Sequence, residues 1–133
     1  MKYMLDTDIC IALIRQNSPQ LVEKIISTSL GEIGLSVITV AELQFGVERS
    51  QRREQNQDAL LQFLLPFEIA DFDSKAALGY GRIRAELEGK GSTIGSYDLL
   101  IASHASSLGV ILVTGNVKEF QRVKGLNVEN WLE

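Results

Sequence analysis

Cysteine and histidine are nearly missing from this chain: Cys10 and His104 stand alone. A single cysteine excludes an intrachain disulfide, and no charged stretch leads into a long apolar leader, so a reducing, cytoplasmic location is expected. The same shortage removes the Cys and His spacings that zinc requires and any His-pair metalloprotease motif. No apolar run approaches the ~18 residues needed to cross a bilayer, which predicts a soluble protein with no membrane partner. Aromatic residues make up only 7% of the chain, too few for a platform that stacks the bases of a single strand. A formal net charge of −4 excludes a protein that coats nucleic acid by overall electrostatics, although a local basic strip remains open. Neither a P-loop nor a G-x-G-x-x-G occurs, so nucleotide cofactors have no motif to bind. Internal repeats and low-complexity segments are absent.

What is present fits one globular domain spanning residues 1–133, with 45% hydrophobic and 23% charged residues. Lys2 to Leu5 is a short apolar run ending in Asp6, and Ile9, Ala12 and Leu13 follow at helical spacing: strand, tight turn, helix. Pro19 suits the first position of a second helix, where its missing N–H does no harm. Ile33 to Ile38 predicts a strand, with Thr39 opening a helix to about Ser50. Gln51 to Asp58 is polar, Ala59 to Leu65 a short apolar helix stopped near Pro66, and Phe67 to Phe72 a third strand. A helix capped by Asp73 or Ser74 runs to about Glu88. Gly89 to Gly95 holds three glycines and reads as a mobile loop. An apolar helix, Leu99 to Leu108, ends at Gly109. Val110 to Val113 is a β-branched inner strand, and Asn127 to Trp131 an edge strand. Strands alternating with helices predict an α/β fold: a mostly parallel central sheet flanked by helices on both faces.

Four segments carry acids at what read as strand-to-helix turns: MLDTD (Asp6, Asp8), TVAEL (Glu42), SYDLLIA (Asp98) and VTGNVKEF (Glu119). In a parallel sheet these turns share one edge. Like charges gathered there oppose folding unless a cation sits among them, which predicts a divalent-metal site and metal-dependent chemistry on phosphate esters. Carboxylate oxygens are hard ligands that suit Mg²⁺ or Mn²⁺. Each acid also has a local explanation. Glu42 stands three residues after Thr39, and Glu119 three after Asn116, the spacing of a capping box. Asp98 complements a helix dipole. Asp6 is harder to explain locally, because it ends an apolar strand where open α/β sheets collect ligands. Four coincidences at one edge outweigh four separate caps. His104, among Ile101, Ala102 and Ala105, reads as a satisfied helix-face residue rather than a ligand.

The stretches MLDTDICI, SVITVAELQFGVERS, IRAELEGKGSTIGSYDLLIASHASSLG and LVTGNVKEFQRVKGLNVENW resemble, in order and spacing, a PIN-domain protein. They resemble most closely the VapC toxins of bacterial type II toxin–antitoxin modules, over nearly the whole chain. The resemblance implies a PIN fold and a Mg²⁺- or Mn²⁺-dependent endoribonuclease, with tRNA a candidate substrate. It also implies a homodimer and a cognate VapB-type antitoxin that occupies the active-site groove and relieves inhibition of translation. Carried over by position, Asp6, Glu42 and Asp98 are the metal ligands. The fourth acid of many PIN domains falls on Asn116, which carries no charge, and Glu119 one turn later is then the fourth carboxylate. Asp8 stands where relatives commonly carry Asn. Thr114 resembles the small hydroxyl residue that bonds the site's carboxylates or a bound phosphate.

An acidic site repels RNA, so cations around its rim are needed. Arg82, Arg84 and Lys90 precede the Asp98 helix, Lys118, Arg122 and Lys124 follow the last motif, and Arg49, Arg52 and Arg53 lie beyond Glu42. Solvated helix faces explain these equally well. Two other functions compete with the toxin: a PIN-fold RNA-processing nuclease, and a catalytically weak protein that sequesters RNA or a partner because Asn116 has removed a charge. A phosphoacceptor receiver is discounted, because its central acceptor position falls on Glu42 inside a helix.

Overall fold

The computed structural model describes residues 1–132. In chain order the elements are β1 (Tyr3–Leu5), α1 (Thr7–Arg15), α2 (Pro19–Ser27), a 3₁₀ turn (Leu30–Glu32), β2 (Ile33–Ser36) and α3 (Val37–Glu48). There follow α4 (Arg53–Leu64), β3 (Glu68–Ala70), α5 (Ser74–Gly89), α6 (Ser96–Leu108), β4 (Ile111–Val113), α7 (Val117–Phe120) and β5 (Val128–Glu129). The five strands form one sheet in the order β3-β2-β1-β4-β5, every pairing parallel. From β1 the chain winds outward through β2 to β3, then returns to pair β4 on the other side of β1. The order therefore reverses at β1 and β4, and the crevice beyond their carboxyl ends is where such sheets take ligands.

The period-two pleat sends successive residues of one strand into different cores. Leu5 and Val113 join Ile9, Leu21, Leu35, Leu43, Leu60 and Trp131 under α1 to α4. Met4 and Leu112 join Leu99, Ile101, Ala105 and Phe120 under α5 to α7. Helices thus cover both faces, as the alternation predicts. Trp131, of the closing ENW, is buried and meets Tyr3 edge-on with ring centroids 5.0 Å apart. Among the described residues no helix is long and apolar enough to cross a membrane.

Several boundaries shift from the sequence expectation, and three departures bear on how the helices and the site are built. The second strand stops at Ser36, whose side chain caps α3 by accepting from Ile38 N–H at 3.0 Å, so Thr39 lies inside the helix. The polar stretch at 51–58 is mostly helical, because α4 starts at Arg53. Its polar groups are occupied along one side: Gln57 and Gln44 exchange side-chain hydrogen bonds, and Asn56 donates to Ser50 Oγ. Finally, SYDLLIA does not follow a strand. It opens α6 after a loop from α5, and the loop delivers Asp98 to the edge that the strand turns build.

Candidate active site

Asp6 leaves β1 at the crevice and is 4% exposed. Its Oδ1 accepts from Thr7 N–H at 2.8 Å, and its Oδ2 accepts from the Thr114 hydroxyl at 2.7 Å. Thr114 follows β4, the strand next to β1, so the two sides of the switch point are joined through this pair. Thr114 Oγ lies 3.5 Å from Asp8 Oδ1, and its one proton goes to the nearer Asp6. Asp8 is exposed and accepts from Gly115 N–H at 2.9 Å, fixing the turn after β4. A Cβ on Gly115 would stand 2.8 Å from that Asp8 oxygen, so a larger residue would displace the Asp8 carboxylate from this contact.

Glu42 enters from α3, and its Oε1 accepts from the Thr7 hydroxyl at 2.7 Å. Thr7 Oγ also lies 3.2 Å from buried Thr39 Oγ. Thr39 and Glu42 form no capping box, because Ser36 is the cap. Glu119, on the first turn of α7, accepts from Gly95 N–H at 2.9 Å and from Asn116 Nδ2 at 2.6 Å. Asn116 likewise makes no side-chain cap; it holds Glu119 instead. Built on Gly95, a Cβ would lie 3.6 Å from Asp98 Oδ2 and 3.9 Å from Glu119 Oε1, which places both carboxylates over the same loop residue. The loop expected to be mobile is tied here and through Arg122, which donates to Thr93 O at 2.8 Å.

Proximity shows in the titration of these groups. Burial and then the charge of Asp8, with a smaller part from Asp98, push Asp6 from an ordinary 3.8 up to about 7, against the lowering bonds from Thr114 and Thr7. Burial, then Glu119 and Glu42, push Asp98 up to about 6. Glu119 is lowered, first by the Gly95 N–H, with further help from Asn116 and Arg122. As pH falls, Asp98 therefore takes up a proton before Glu119 does. The N-termini of α1, α6 and α7 face this charge and offset part of it. Burial pushes the Cys10 thiol well up beneath Asp6, which makes it inert as a nucleophile.

The donor set fits a hard divalent cation: oxygen ligands only, two of them raised by burial and by the like charges beside them. Among the described residues no group of three or more His, Cys, Asp or Glu side chains stands close enough together in this structure to hold a metal ion. Hydrogen bonds from Thr7, Thr114 and Gly95 occupy one oxygen each of Glu42, Asp6 and Glu119.

The expected rim cations divide. Arg84 is engaged by Glu88 at 2.8 Å and by Tyr80 on α5, and Lys90 by Glu86. Arg82 and Lys118 are exposed. Beside Glu42 a groove of about 710 Å³ opens between α1, α3 and α4, with Ile11, Ile14 and Phe45 on its walls and Arg15 and Arg49 along it. Sequence reasoning missed Thr7, Gly95 and Arg15. Thr7 alone carried a signal, lying between Asp6 and Asp8.

A PIN-domain family model matches residues 3–126. Ribonuclease VapC2 of Rickettsia felis is 46% identical over 132 residues, covering 98% of each chain. The tRNA(fMet)-specific endonuclease VapC of Salmonella typhimurium is 40% identical over 131 residues, again 98% of each. The crystal structure of VapBC2 from Rickettsia felis bound to a promoter DNA fragment superimposes with a TM-score of 0.90 at 44% identity, covering 98% of this chain and 99% of that one. With its fold, switch-point acids and full-length likeness all in agreement, this chain belongs to the PIN-domain family and, within it, to the VapC toxin endoribonucleases of type II toxin–antitoxin systems.

Proposed function

We propose that the chain hydrolyses RNA at the crevice beyond β1 and β4, with Asp6, Glu42 and Asp98 holding Mg²⁺ or Mn²⁺ and Glu119 as the fourth carboxylate. The observation that carries this reading is the convergence of carboxylates on one crevice: Asp6, buried and bonded to Thr114, Glu42 held by Thr7, and Asp98 and Glu119 both against Gly95. Such a cation, when bound, supplies Lewis-acid chemistry: it neutralises the scissile phosphate and makes water acidic enough to attack near neutral pH. Thr114 and Thr7 orient Asp6 and Glu42 by hydrogen bonds. Asn116 and Gly95 aim Glu119, which restores the charge that an amide at 116 lacks. Arg15 and Arg49, exposed along the groove, are placed to meet RNA phosphates, whereas Arg84 is diverted to Glu88.

The relative from Salmonella typhimurium is named for tRNA(fMet), which makes tRNA the first substrate class to try. A VapB-type antitoxin is the partner we infer, since the Rickettsia felis relative was solved as a VapBC complex. The groove beside Glu42, apolar on its walls, suits an amphipathic peptide segment. A homodimer is also inferred, and light scattering at micromolar concentration tests it. The decisive experiment is cleavage of a tRNA pool in Mg²⁺ by wild type, Asp6→Asn, Glu42→Gln and Asp98→Asn, with circular dichroism of each. All three variants should fold and lose cleavage by ~100-fold or more. Wild-type rates in Asp6→Asn and Asp98→Asn would overturn the assignment.

A further inference from the structure

His104 is 1% exposed, inside α6, and its Nδ1 lies 2.7 Å from Ser36 Oγ. Ser36 is fully buried and is the N-cap of α3, where its Oγ already accepts from Ile38 N–H. The hydroxyl can both accept from Ile38 N–H and share a hydrogen bond with Nδ1, in whichever direction the neutral ring's tautomer sets. Nε2 is the one buried side-chain polar atom among the described residues without a hydrogen-bond partner. Burial lowers the ring's affinity for a second proton; a backbone group of Asp71 and the charges of Asp73 and Asp71 oppose this without prevailing.

An unpaired buried ring nitrogen loses about as much as one ordinary hydrogen bond returns. The pair therefore adds little net stability, and what it does add is a fixed distance between two helices. Those helices bear the site. Glu42 stands six residues after Ser36 along α3, and Asp98 six residues before His104 along α6, each about 9 Å of helix from the bond. Among the described residues no hydrogen bond joins Glu42 to Asp98 directly, although each is close enough for Glu42 to raise Asp98. Resting on the carboxylate reading above, we propose that His104 is a positioning residue: its bond to the α3 cap clamps α3 to α6 and sets the spacing of Glu42 and Asp98 across the metal site. Phe72 packs its ring edge-on at 5.3 Å from the imidazole and holds the ring in place for that bond.

The test uses His104→Leu, His104→Asn, Ser36→Ala and the double variant His104→Leu/Ser36→Ala. Each is followed by amide exchange of residues 38–42 without metal, by the rise in melting temperature on titrating Mn²⁺, and by kcat and KM for RNA. The clamp predicts that His104→Leu melts near wild type yet exchanges faster at 38–42. It should also need ~10-fold more Mn²⁺ for half its thermal shift and lose kcat ~10-fold with KM little changed. Ser36→Ala should match it, the double variant should be no worse than either, and His104→Asn, which keeps a polar atom near Nδ1, should recover most of the loss. A His104→Leu protein with wild-type exchange, Mn²⁺ response and kcat overturns the clamp, as does a double variant whose losses multiply. Should His104→Leu fail to fold, folded His104→Asn and Ser36→Ala proteins decide: wild-type behaviour in Ser36→Ala overturns the proposal. A wild type that neither responds to Mn²⁺ nor cleaves RNA overturns the nuclease reading and the clamp together, whereas a working wild type matched by its variants overturns the clamp alone.

Discussion

A carboxyl that burial and a neighbouring charge hold near neutrality makes stability depend on pH in an unusual direction. Asp6 has a folded value of about 7 against an ordinary 3.8, so its protonated form is favoured by folding. The stability it contributes is complete below the ordinary value and is lost as pH rises through about 7. Asp98 adds the same sign through about 6. His104, lowered by burial, works oppositely, losing stability as pH falls below 6.5, so toward pH 6 it offsets part of the gain from Asp6 and Asp98. Between pH 6 and 8 the metal-free protein should lose on the order of 1 kcal/mol from Asp6, or ~4 °C in melting temperature. Scanning calorimetry reads this; Mn²⁺ should remove the decline and Asp6→Asn should flatten it. A metal-free protein that melts higher at pH 8 than at pH 6 would contradict the buried-acid account. At Glu119 the arrangement also ranks two variants. Glu119→Gln removes a charge that two donors aim, and Asn116→Ala removes one of the donors. Single-turnover cleavage should fall ~100-fold in the first and ~10-fold in the second. The reverse order would move the fourth ligand to residue 116.

Among the elements, the turn from β4 into α7 carries the tightest packing at the site. Gly115 donates to Asp8, and a Cβ there would meet Asp8 Oδ2 and Leu132 Cδ1, both at 2.8 Å. Gly115→Ala should push the Asp8 carboxylate and the end of Leu132 aside, destabilise the protein by about 1 kcal/mol and weaken cleavage. Urea unfolding with a parallel cleavage assay measures both effects, and an unchanged midpoint would show that the turn yields freely. Much of this level was legible in the chain. The apolar runs gave β1 and β4, Pro19 marked the start of α2, and Gly109 with φ +67° ends α6 as its spacing predicts. The start of α3 was not, because Ser36 and Thr39 are both good caps in sequence, and burial against His104 selects Ser36. Nor was the start of α4, since the Gln44–Gln57 pairing that supports it spans two helices. Asp98 was read at the right edge for the wrong reason: a loop tied by Arg122 and Glu119 brings it there, not a strand.

Across the whole molecule, strand order converts scattered acids into a site. With β1 and β4 adjacent at the centre, Asp6 and Thr114 meet although 108 residues separate them. Parallel order was foreseeable from the alternation of elements; which strand neighbours β1 was not, because periodicity carries no information about pairing partners. The same view sets a limit on how RNA is held. The chain carries a formal charge of −4, and its acids gather at the crevice, so apart from the scissile phosphate the RNA backbone is met by cations on the rim, with Arg15 and Arg49 along the groove and Arg84 already paired. Each phosphate contact to a single strand contributes ~0.7 to the slope of log affinity against log salt. About three contacts would weaken binding by no more than ~20-fold between 50 and 200 mM salt. Measured as KM for RNA in constant Mg²⁺, the salt dependence should stay within that range, and Arg49→Ala should raise KM while leaving kcat near wild type. A loss of ~1,000-fold over the same interval would require a broad basic surface, and the groove beside Glu42 would then not be where RNA is gripped.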